Sequence, residues 1–396
     1  MSFNIATSGL NAVTKQLGTI SNNIANGGTV GYKSMRAEFA SLYASGQPLG
    51  VGVSSISQSI SQNGGISGTG RGLDLAIAGN GFFMTKDSSG NISYTRAGYS
   101  QIDSQGYLTN NLGKRLQGYP VDANGQLQTG VISDLQINSG SIPAKATDEM
   151  NFVGNLNANS KTPATAPFNK DDSTSYNNTY SSKIYDSLGR EHTLEQYFVK
   201  TGDNQWEAHY FVDGQPATPA SQQLEFSTNG VLTSPTGAVD VSAAIPGADA
   251  LTIGLDYTGT SQYGSEFNVS RNSPNGYAAG EKNGEQIDDD GKIYATYSNG
   301  ERLLQGQLVL AGFTNPNGLT SEDGTAWTAN NQSGQPILGT PKSGLNGSIK
   351  SNALEDSNVD MTAELVGLMN AQRNYQANTK VISTNDSMMN ALFQAL

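Results

Sequence analysis

The acidic run Asp288-Asp289-Asp290-Gly291 has the composition of a calcium loop but not its spacing. Its glycine comes too early for an EF-hand, and the glutamate that would bind the ion with both oxygens is missing. The same D-x-x-G pattern, flanked by apolar or β-forming residues, recurs at 87–90, 103–106, 122–125 and 186–189. Asp first and Gly fourth suit a type I turn followed by a bulge, so we interpret all five as β-hairpin turns. A calcium loop at 288–291 is the alternative.

Other residues that could do chemistry are sparse. His192 and His209 are the only histidines, and each lies in a strand-like stretch with no second ligand clustered beside it in the sequence. The chain has no Cys, which removes disulfides, thiolate nucleophiles and thiolate metal sites. The glycine-rich segment 68–72 resembles a phosphate loop, but an alternating strand follows it where a helix N-terminus is needed. We therefore expect no active site, no metal and no cofactor.

Composition restricts the class of protein and its partners. The chain has 396 residues with 47 Gly and only 14% charged residues, a mixture typical of β-structure with many turns. A net charge of -12 repels nucleic acid and anionic membrane surfaces. The N-terminal residues form no basic and apolar leader, and no stretch approaches 18 apolar residues, so we predict neither a Sec-type signal nor a membrane span.

The first 25 residues carry a heptad pattern. Apolar residues alternate at spacings of three and four: Phe3, Ala6, Leu10, Val13, Leu17, Ile20 and Ile24. This spacing predicts an amphipathic helix of about 24 residues, with Ser2 as N-cap and Asn26-Gly27-Gly28 as its end. By itself the pattern fits equally well a helix packed on its own domain.

The C-terminal segment repeats the alternation, with the order of spacings four then three. Its seam positions are Met361, Leu365, Leu368, Gln372, Tyr375, Thr379, Ile382, Asp386, Met389, Phe393 and Leu396. Asp360 is placed to cap this second helix, and Glu364 lies at the positive end of its dipole. Heptad segments at both ends of one chain predict that the two helices pair as a coiled coil.

Between the helices the sequence predicts β-structure. Strand signals flank the D-x-x-G turns at 82–84, 196–199, 208–212 and 307–310. Composition shifts near Ile142-Pro143 and Ser273-Pro274 isolate an inserted β-domain. The predicted fold is mainly β with α-helical ends, divided into terminal helices at 1–28 and 359–396, a connector at 29–70 and 351–358, a discontinuous inner β-domain at 71–143 and 276–350, and the inserted outer β-domain at 144–275.

Several short motifs resemble the flagellar axial proteins, the family of rod, hook and hook-associated subunits. At the N-terminal end the matching segments are 8–12, 21–26 (Ser-Asn-Asn-Ile-Ala-Asn) and Gly31-Tyr32-Lys33; at the C-terminal end they are 357–360, 364–366 and 371–378. The segments 69–83, 94–98 and 116–120 are similar to the body shared by hook and distal-rod subunits. The matching pieces cover about half the chain, and its length and insertion resemble the hook-type members most.

The resemblance implies a non-enzymatic subunit that polymerises into the curved tubular hook, a flexible joint carrying torque from rod to filament. It implies export through the flagellar type III apparatus, an extracellular location in the flagellum, and contacts with its own copies, rod subunits, the hook cap and hook–filament junction proteins. The heptads and motifs together indicate these assembly residues: Phe3, Leu10, Val13, Leu17, Ile20, Asn23, Ile24, Asn26, Leu365, Leu368, Gln372, Arg373, Tyr375, Ile382, Met389 and Phe393.

Alternatives from other classes stay open at this level. A distal-rod type subunit shares the end motifs but lacks about one domain of sequence. A secreted all-β adhesin or binding protein would use the acidic, Gly- and Asn-rich middle equally well. An extracellular enzyme is the third, for which no pair of convergent catalytic residues is visible.

Overall fold

The computed structural model of the chain describes residues 2–44, 47–122 and 125–395. The fold consists of two compact units. Unit 1 contains residues 1–139, 284–296 and 302–396, and unit 2 contains residues 140–283 and 297–301.

Two long helices bracket the β-structure, as the heptads predict. Helix α1 is Ser2–Ala25 and helix α2 is Met361–Ala395. The Asp360 carboxylate accepts the backbone N–H groups of Thr362 (2.9 Å) and Ala363 (3.1 Å), which confirms it as the cap of α2. Helix α1 ends directly before Asn26-Gly27-Gly28, as predicted, whereas the Ser2 side chain lies outside the described residues. Among the described residues, neither helix combines the length and apolarity needed to cross a bilayer.

The strands fall into three groups along the chain. The first ten belong to unit 1: β1 (Met35–Ala44), β2 (Gln47–Gln58), β3 (Ile66–Gly68), β4 (Leu75–Ala78), β5 (Phe82–Lys86), β6 (Ile92–Thr95), β7 (Gln101–Ile102), β8 (Leu108–Thr109), β9 (Arg115–Pro120) and β10 (Ser133–Asp134). The next nine belong to unit 2: β11 (Glu149–Asn155), β12 (Asn178–Tyr185), β13 (Glu191–Gly202), β14 (Gln205–Val212), β15 (Gln215–Phe226), β16 (Leu232–Ser234), β17 (Val239–Ala243), β18 (Leu251–Asp256) and β19 (Asn268–Pro274). The last nine are β20 (Lys282–Ile287), β21 (Lys292–Tyr297), β22 (Arg302–Leu308), β23 (Leu310–Gly312), β24 (Thr320–Glu322), β25 (Ala326–Thr328), β26 (Ile337–Gly339), β27 (Ser348–Ser351) and β28 (Ala353–Glu355), with a 3-10 turn at Pro316–Gly318.

Each unit is built around its own sheet and core. In unit 1 the main path runs β20-β21-β22-β9-β5-β6-β25-β24, and in unit 2 it runs β12-β13-β14-β15-β17-β18-β11-β19. The unit 2 core contains Trp206, whose indole N–H donates to Gln262 Oε1 (2.7 Å), and Tyr257, whose hydroxyl donates to Gln196 Oε1 (2.7 Å). Large aromatic groups are thus buried with their polar atoms satisfied.

Four of the D-x-x-G segments, at 87–90, 103–106, 186–189 and 288–291, form the predicted turns, whereas residues 123–124 of the fifth lie outside the described residues. In Asp87–Gly90, between β5 and β6, the Asp87 carboxylate accepts the N–H groups of Ser89 (2.9 Å) and Asn91 (2.8 Å). Gly90 adopts a φ of 90°, which favours glycine, and its N–H donates to Asp87 O (3.1 Å). At 288–291 the carboxylates of Asp288, Asp289 and Asp290 instead form ion pairs with lysine and arginine side chains.

The connector contains more regular structure than its sequence indicates. Within residues 29–70, which we predict as a Gly/Ser/Gln-rich link, β1 and β2 form a long antiparallel hairpin. Cross-strand hydrogen bonds from Ser55 Oγ (3.0 Å) and Ser57 Oγ (2.7 Å) to the Glu38 carboxylate stabilise it, and these polar pairs lack the apolar alternation that marks a strand in sequence.

A buried ionic cluster holds together the segments from which both helices emerge. Lys33 Nζ lies 2.6 Å from Glu355 Oε1, and Arg96 Nη1 lies 3.4 Å from Glu355 Oε2. All three side chains are buried: Lys33 is 0% exposed, Arg96 3% and Glu355 1%. Gly64 N–H donates to Glu355 Oε1 (3.0 Å), and Gly31 N–H donates to the Glu355 carbonyl (2.7 Å). We call Lys33, Arg96 and Glu355 the root cluster.

Burial sets the electrostatics of the root cluster. It lowers the pKa of Lys33 against the opposing hydrogen bond and charge of Glu355, and it lowers the pKa of Arg96 in the same way. Backbone carbonyls accept further hydrogen bonds from both cations: Lys33 Nζ donates to Gln62 O (2.5 Å) and Arg96 Nη2 to Gly79 O (2.6 Å). Among the described residues, the buried Arg96 Nε and Glu355 Oε2 have no hydrogen-bond partner. Since desolvated charges are stable only with their partners, removing the single carboxylate would leave two buried cations uncompensated.

The histidines also depart from expectation, because His192 does have clustered partners. Its Nδ1 lies 2.6 Å from Asp213 Oδ2, and its Nε2 lies 3.2 Å from Asp186 Oδ2. Antiparallel pairing of β12, β13 and β14 brings these distant residues together. Burial lowers the pKa of His192, but the two carboxylates outweigh it and the net pKa is raised. Asp186 is also held by Arg190 Nε (2.6 Å), and among the described residues no group of three or more potential ligands could hold a metal.

We expect Glu355→Gln to destabilise unit 1 by about 3–5 kcal/mol, because it removes the partner of two buried cations. The matched control is Glu322→Gln, which breaks the more exposed pair with Lys114 (3.1 Å) and should cost less than about 1 kcal/mol. Urea unfolding gives the difference, and hydrogen exchange at residues 29–35 and 353–360 locates it. Equal losses in the two variants would contradict this role of the cluster.

The Asp186–His192–Asp213 cluster should make the stability of unit 2 depend on pH. The raised His192 pKa stabilises the folded state below the unfolded pKa of about 6.5, and this contribution is lost as pH rises through the folded value. The lowered pKa of Asp186 acts in the opposite direction, stabilising above about pH 3.9 and failing in stronger acid.

We therefore expect the native chain to melt on the order of 2–4 °C above His192→Gln at pH 5.5, with the difference closing by pH 8.5. Thermal unfolding followed at Trp206 in a Trp327→Phe background measures unit 2 alone. A difference that stays constant across this range would show that His192 does not act through its charge.

Candidate assembly interface

Helices α1 and α2 pack antiparallel, and three contacts define their register. Asn23 Nδ2 donates to Glu364 Oε1 (2.8 Å) at one end. Farther along, a Cβ placed on Gly367 would lie 3.4 Å from Ile20 Cδ1, and one placed on Gly9 would lie 3.0 Å from the Asn378 side chain. The numbers of two residues that face each other across the helix pair therefore add up to about 387.

Small residues allow the two helices to approach closely. The seam contains Val13, Ile20 and Ala371 as buried residues, with Leu17, Ile24 and Leu368 packed against them. Ala371 is 1% exposed, so this small side chain lies at the centre of the contact. Knobs from α1 therefore pack against a narrow stripe of α2 in the manner of a coiled coil. The predicted pairing of the two terminal helices is confirmed.

Asn23 links the helix pair to the connector. Besides its bond to Glu364, its side-chain amide donates to Met35 O (2.7 Å) and its Oδ1 accepts from Met35 N–H (2.8 Å). Tyr32 Oη also donates to Asn23 Oδ1 (3.2 Å), and burial, assisted by the Glu364 charge, raises the pKa of Tyr32. A buried amide that uses both its donors and its acceptor fixes the register of α1, α2 and β1 together.

The β1–β2 hairpin lies along α1. Ser8 Oγ accepts from Val51 N–H (3.3 Å), and a Cβ on Gly50 would lie 1.9 Å from Ser8 Oγ, so only glycine fits there. The hairpin nonetheless exposes large apolar side chains, among them Phe39 (41%), Leu42 (43%) and Tyr43 (66%). Together with the exposed face of α2, this is an apolar surface of the kind that marks protein contacts.

Fifteen of the sixteen predicted assembly residues have described side chains, and these fall into two groups. The first is buried or half-buried: Leu10, Val13, Leu17, Ile20, Asn23, Ile24, Asn26, Leu368 and Ile382. The α1–α2 seam contains Val13, Leu17, Ile20, Ile24 and Leu368 of this group, and Asn23 bonds across it to Glu364. The second is exposed: Phe3, Leu365, Gln372, Arg373, Tyr375 and Met389. The Phe393 side chain lies outside the described residues.

The seam of α2 includes the predicted Leu368 but departs from the predicted positions on either side of it. The predicted positions Leu365 and Gln372 point away from α1, while Glu364 and Ala371, one residue earlier, face it. Two adjacent stripes of α2 have suitable spacing, and the stripe with smaller residues packs because it permits closer approach. Leu365, Val366 and Met369 are thereby left 50%, 47% and 50% exposed.

The sequence does not predict the residues that connect the two helices to the β-structure of unit 1. Lys33, Arg96 and Glu355 were not predicted to meet, and neither was Asn358, whose Oδ1 accepts from Ser34 N–H (2.7 Å). Lys33 and Arg96 do occur within quoted motifs, Gly31-Tyr32-Lys33 and 94–98. Gly31 adopts a φ of 71°, and a Cβ placed on it would lie 2.6 Å from Ala97 N, so these two motifs pack closely together.

Family models match four segments of the chain. Residues 3–33 match the flagella basal body rod protein model, and residues 76–150 match the flagellar hook protein FlgE/F/G D1 domain. Residues 155–277 match the flagellar basal body protein FlaE D2 domain, and residues 350–395 match the C-terminal model of flagellar basal body rod FlgEFG proteins.

Full-length relatives agree with these matches. The chain is 40% identical over 401 residues to the flagellar hook protein FlgE of Salmonella typhimurium, with 99% of each chain covered. It is 39% identical over 399 residues to that of Escherichia coli, also with 99% of each covered. In fold it is similar to the Helicobacter pylori flagellar hook protein FlgE2, with a TM-score of 0.52, 15% identity and coverage of 73% of this chain and 100% of that one. On the strength of this end-to-end similarity, the chain belongs to the flagellar hook protein family.

Proposed function

We propose that this chain is the structural subunit of the curved tubular flagellar hook, a flexible joint that transmits motor torque from rod to filament. The observation that carries the proposal is the α1–α2 pair, which buries a narrow seam and leaves large apolar residues such as Leu365 and Met369 exposed. A subunit that exposes such a face has surface available for contact with further copies. Its site of action is the bacterial flagellum, outside the cell.

We further propose the division of labour along the chain. Residues 1–28 and 359–396 form the inner tube, 29–70 and 351–358 connect it, 71–143 and 276–350 form the inner β-domain, and 144–275 form the outer β-domain. Compact packing of residues 140–283 around one core supports a separate outer domain. Outer domains that contact their neighbours weakly would slide as the tube bends.

The proposed assembly residues fall into complementary roles. Those in the seam, such as Val13 and Ile20, hold the helix pair in the form that assembles. The exposed ones, such as Leu365, Arg373 and Tyr375, are available to contact neighbouring copies. The proposed further partners are rod subunits, the hook cap, hook–filament junction proteins and the type III export apparatus, with no nucleic acid and no membrane.

The competing functions have less support. A distal-rod subunit is disfavoured because the chain matches hook proteins over 99% of their length, insertion included. An adhesin would not require the buried α1–α2 seam. We propose no catalytic role, since the carboxylates around His192 are used by His192 itself, Arg190 and backbone N–H groups.

We expect Ile20→Asp to abolish tube formation, because it places a charge in the α1–α2 seam where Ile20 is 7% exposed. The matched control is Ser21→Asp, which adds the same charge to the neighbouring exposed position of α1. Negative-stain microscopy counts the tubes, and circular dichroism checks that the strands remain. Normal tubes from Ile20→Asp would count against a role for the helix pair in assembly.

Removing the outer domain should leave a polymer with altered mechanics. Lys145 and Tyr277 exchange two backbone hydrogen bonds (2.9 and 3.0 Å), so a short glycine turn can replace residues 146–276. We expect tubes to form but to be straighter or differently supercoiled, since the outer contacts are lost. A curved tube indistinguishable from the native one in electron micrographs would refute the outer-contact proposal.

A further inference from the structure

Helix α2 extends past the part of α1 that it packs against. Because opposed residue numbers add up to about 387, Ser2 lies opposite residue 385, and residues 386–395 of α2 have no described α1 residue beside them. Met389 lies seven residues beyond Ile382, about two helical turns, and therefore on the same face of α2. Its side chain is nonetheless 46% exposed. We call residues 386–395 the α2 extension.

An open groove of about 510 Å³ lies where α1, α2 and the β1–β2 hairpin meet. Its lining contains no charged residue: Ile5, Gly9, Ala12, Val13, Gln16, Phe39, Gly50, Val51, Asn374, Ala377 and Asn378. Several of these side chains are absent or a single methyl group, which leaves room for side chains from another helix. Phe39, at the hairpin side, is 41% exposed.

The α2 extension matches this groove in length and in charge. The groove follows α1 from Ile5 to Gln16, about 16 Å, and the ten residues of the extension span about 15 Å. Asp386, at the first position of the extension, carries its one charged side chain, so residues 387–395 can be buried in the uncharged groove without desolvating a charged side chain. A helix with an apolar face is stabilised when that face packs against another apolar surface.

The extension cannot reach the groove of its own chain. Ile5, the nearer end of the groove, lies opposite residue 382, and Gln16, the farther end, lies opposite residue 371, about 27 Å along α2 from Met389. Because α2 is one continuous helix, residues 386–395 run on past Ile5 and away from the groove. The occupant must therefore be supplied by another molecule, and a second copy carries a segment of the right length and chemistry.

We propose that the α2 extension of one copy lies in the α1–hairpin groove of a neighbouring copy. The contact joins two different surfaces, so a row of copies keeps one free extension and one free groove at its ends, to which further copies can add. This inference rests on the proposed hook-subunit function and specifies one of its contacts between copies.

The absence of cysteine permits a direct test by disulfide cross-linking in assembled tubes. In the double variant Gln16→Cys/Met389→Cys, oxidation should give a ladder of dimers, trimers and longer chains on non-reducing gels, since the contacts repeat head to tail. Each single-cysteine variant should remain monomeric on the same gel. If Gln16→Cys does not assemble, Phe39→Cys, an exposed groove residue, takes its place with the same expectation.

The matched control pair is Gln16→Cys/Lys380→Cys, in which the second cysteine is also exposed on α2 but lies on the side of the helix opposite the seam residues Asn378 and Ile382. Tubes of the test pair that give no ladder, or an equal ladder from the control pair, would overturn the proposal. Failure of the unmodified chain to form tubes would instead contradict the proposed function, so the two failures are distinguishable.

Discussion

The buried carboxylate of Glu355, shared by Lys33 and Arg96, fixes where both terminal helices leave the β-structure of unit 1. Lys33 and Glu355 are 322 residues apart in sequence, so bringing them together costs loop entropy as well as desolvation. Such a cluster is satisfied only in one arrangement, since each oxygen and each cation needs its partner. We infer that it serves geometry more than stability, by setting α1 and α2 side by side.

Beyond the root cluster, α1 packs against the stripe of α2 that carries the smaller residues. Gly367 and Ala371 let α1 approach closely, and Asn23 locks the register by bonding to both Glu364 and Met35. The cost of this choice is that the larger apolar residues of α2 face outward. In a monomer that exposure is unfavourable, and in the polymer that we propose the same face would be buried between copies. Under this proposal, different stripes of one helix carry pairing within the chain and assembly between chains.

Much of this architecture was predictable from local patterns. Alternating spacings of three and four predicted both helices, and Asp360 was predicted as the cap of the second. The D-x-x-G segments predicted the hairpin turns. Features set by distant pairing were not predictable. The shift of the α2 seam depends on which of two adjacent stripes packs more closely, and the buried Lys33 looks like any surface lysine until Glu355 is brought beside it.

Cryo-electron microscopy of tubes assembled from the purified chain would show whether the terminal helix pair forms the inner layer of a homopolymeric tube. We expect α1 and α2 to lie at the smallest radius, around a central channel, with the β-strands outside them. A map with β-strands lining the channel, or with the two helices apart, would contradict it.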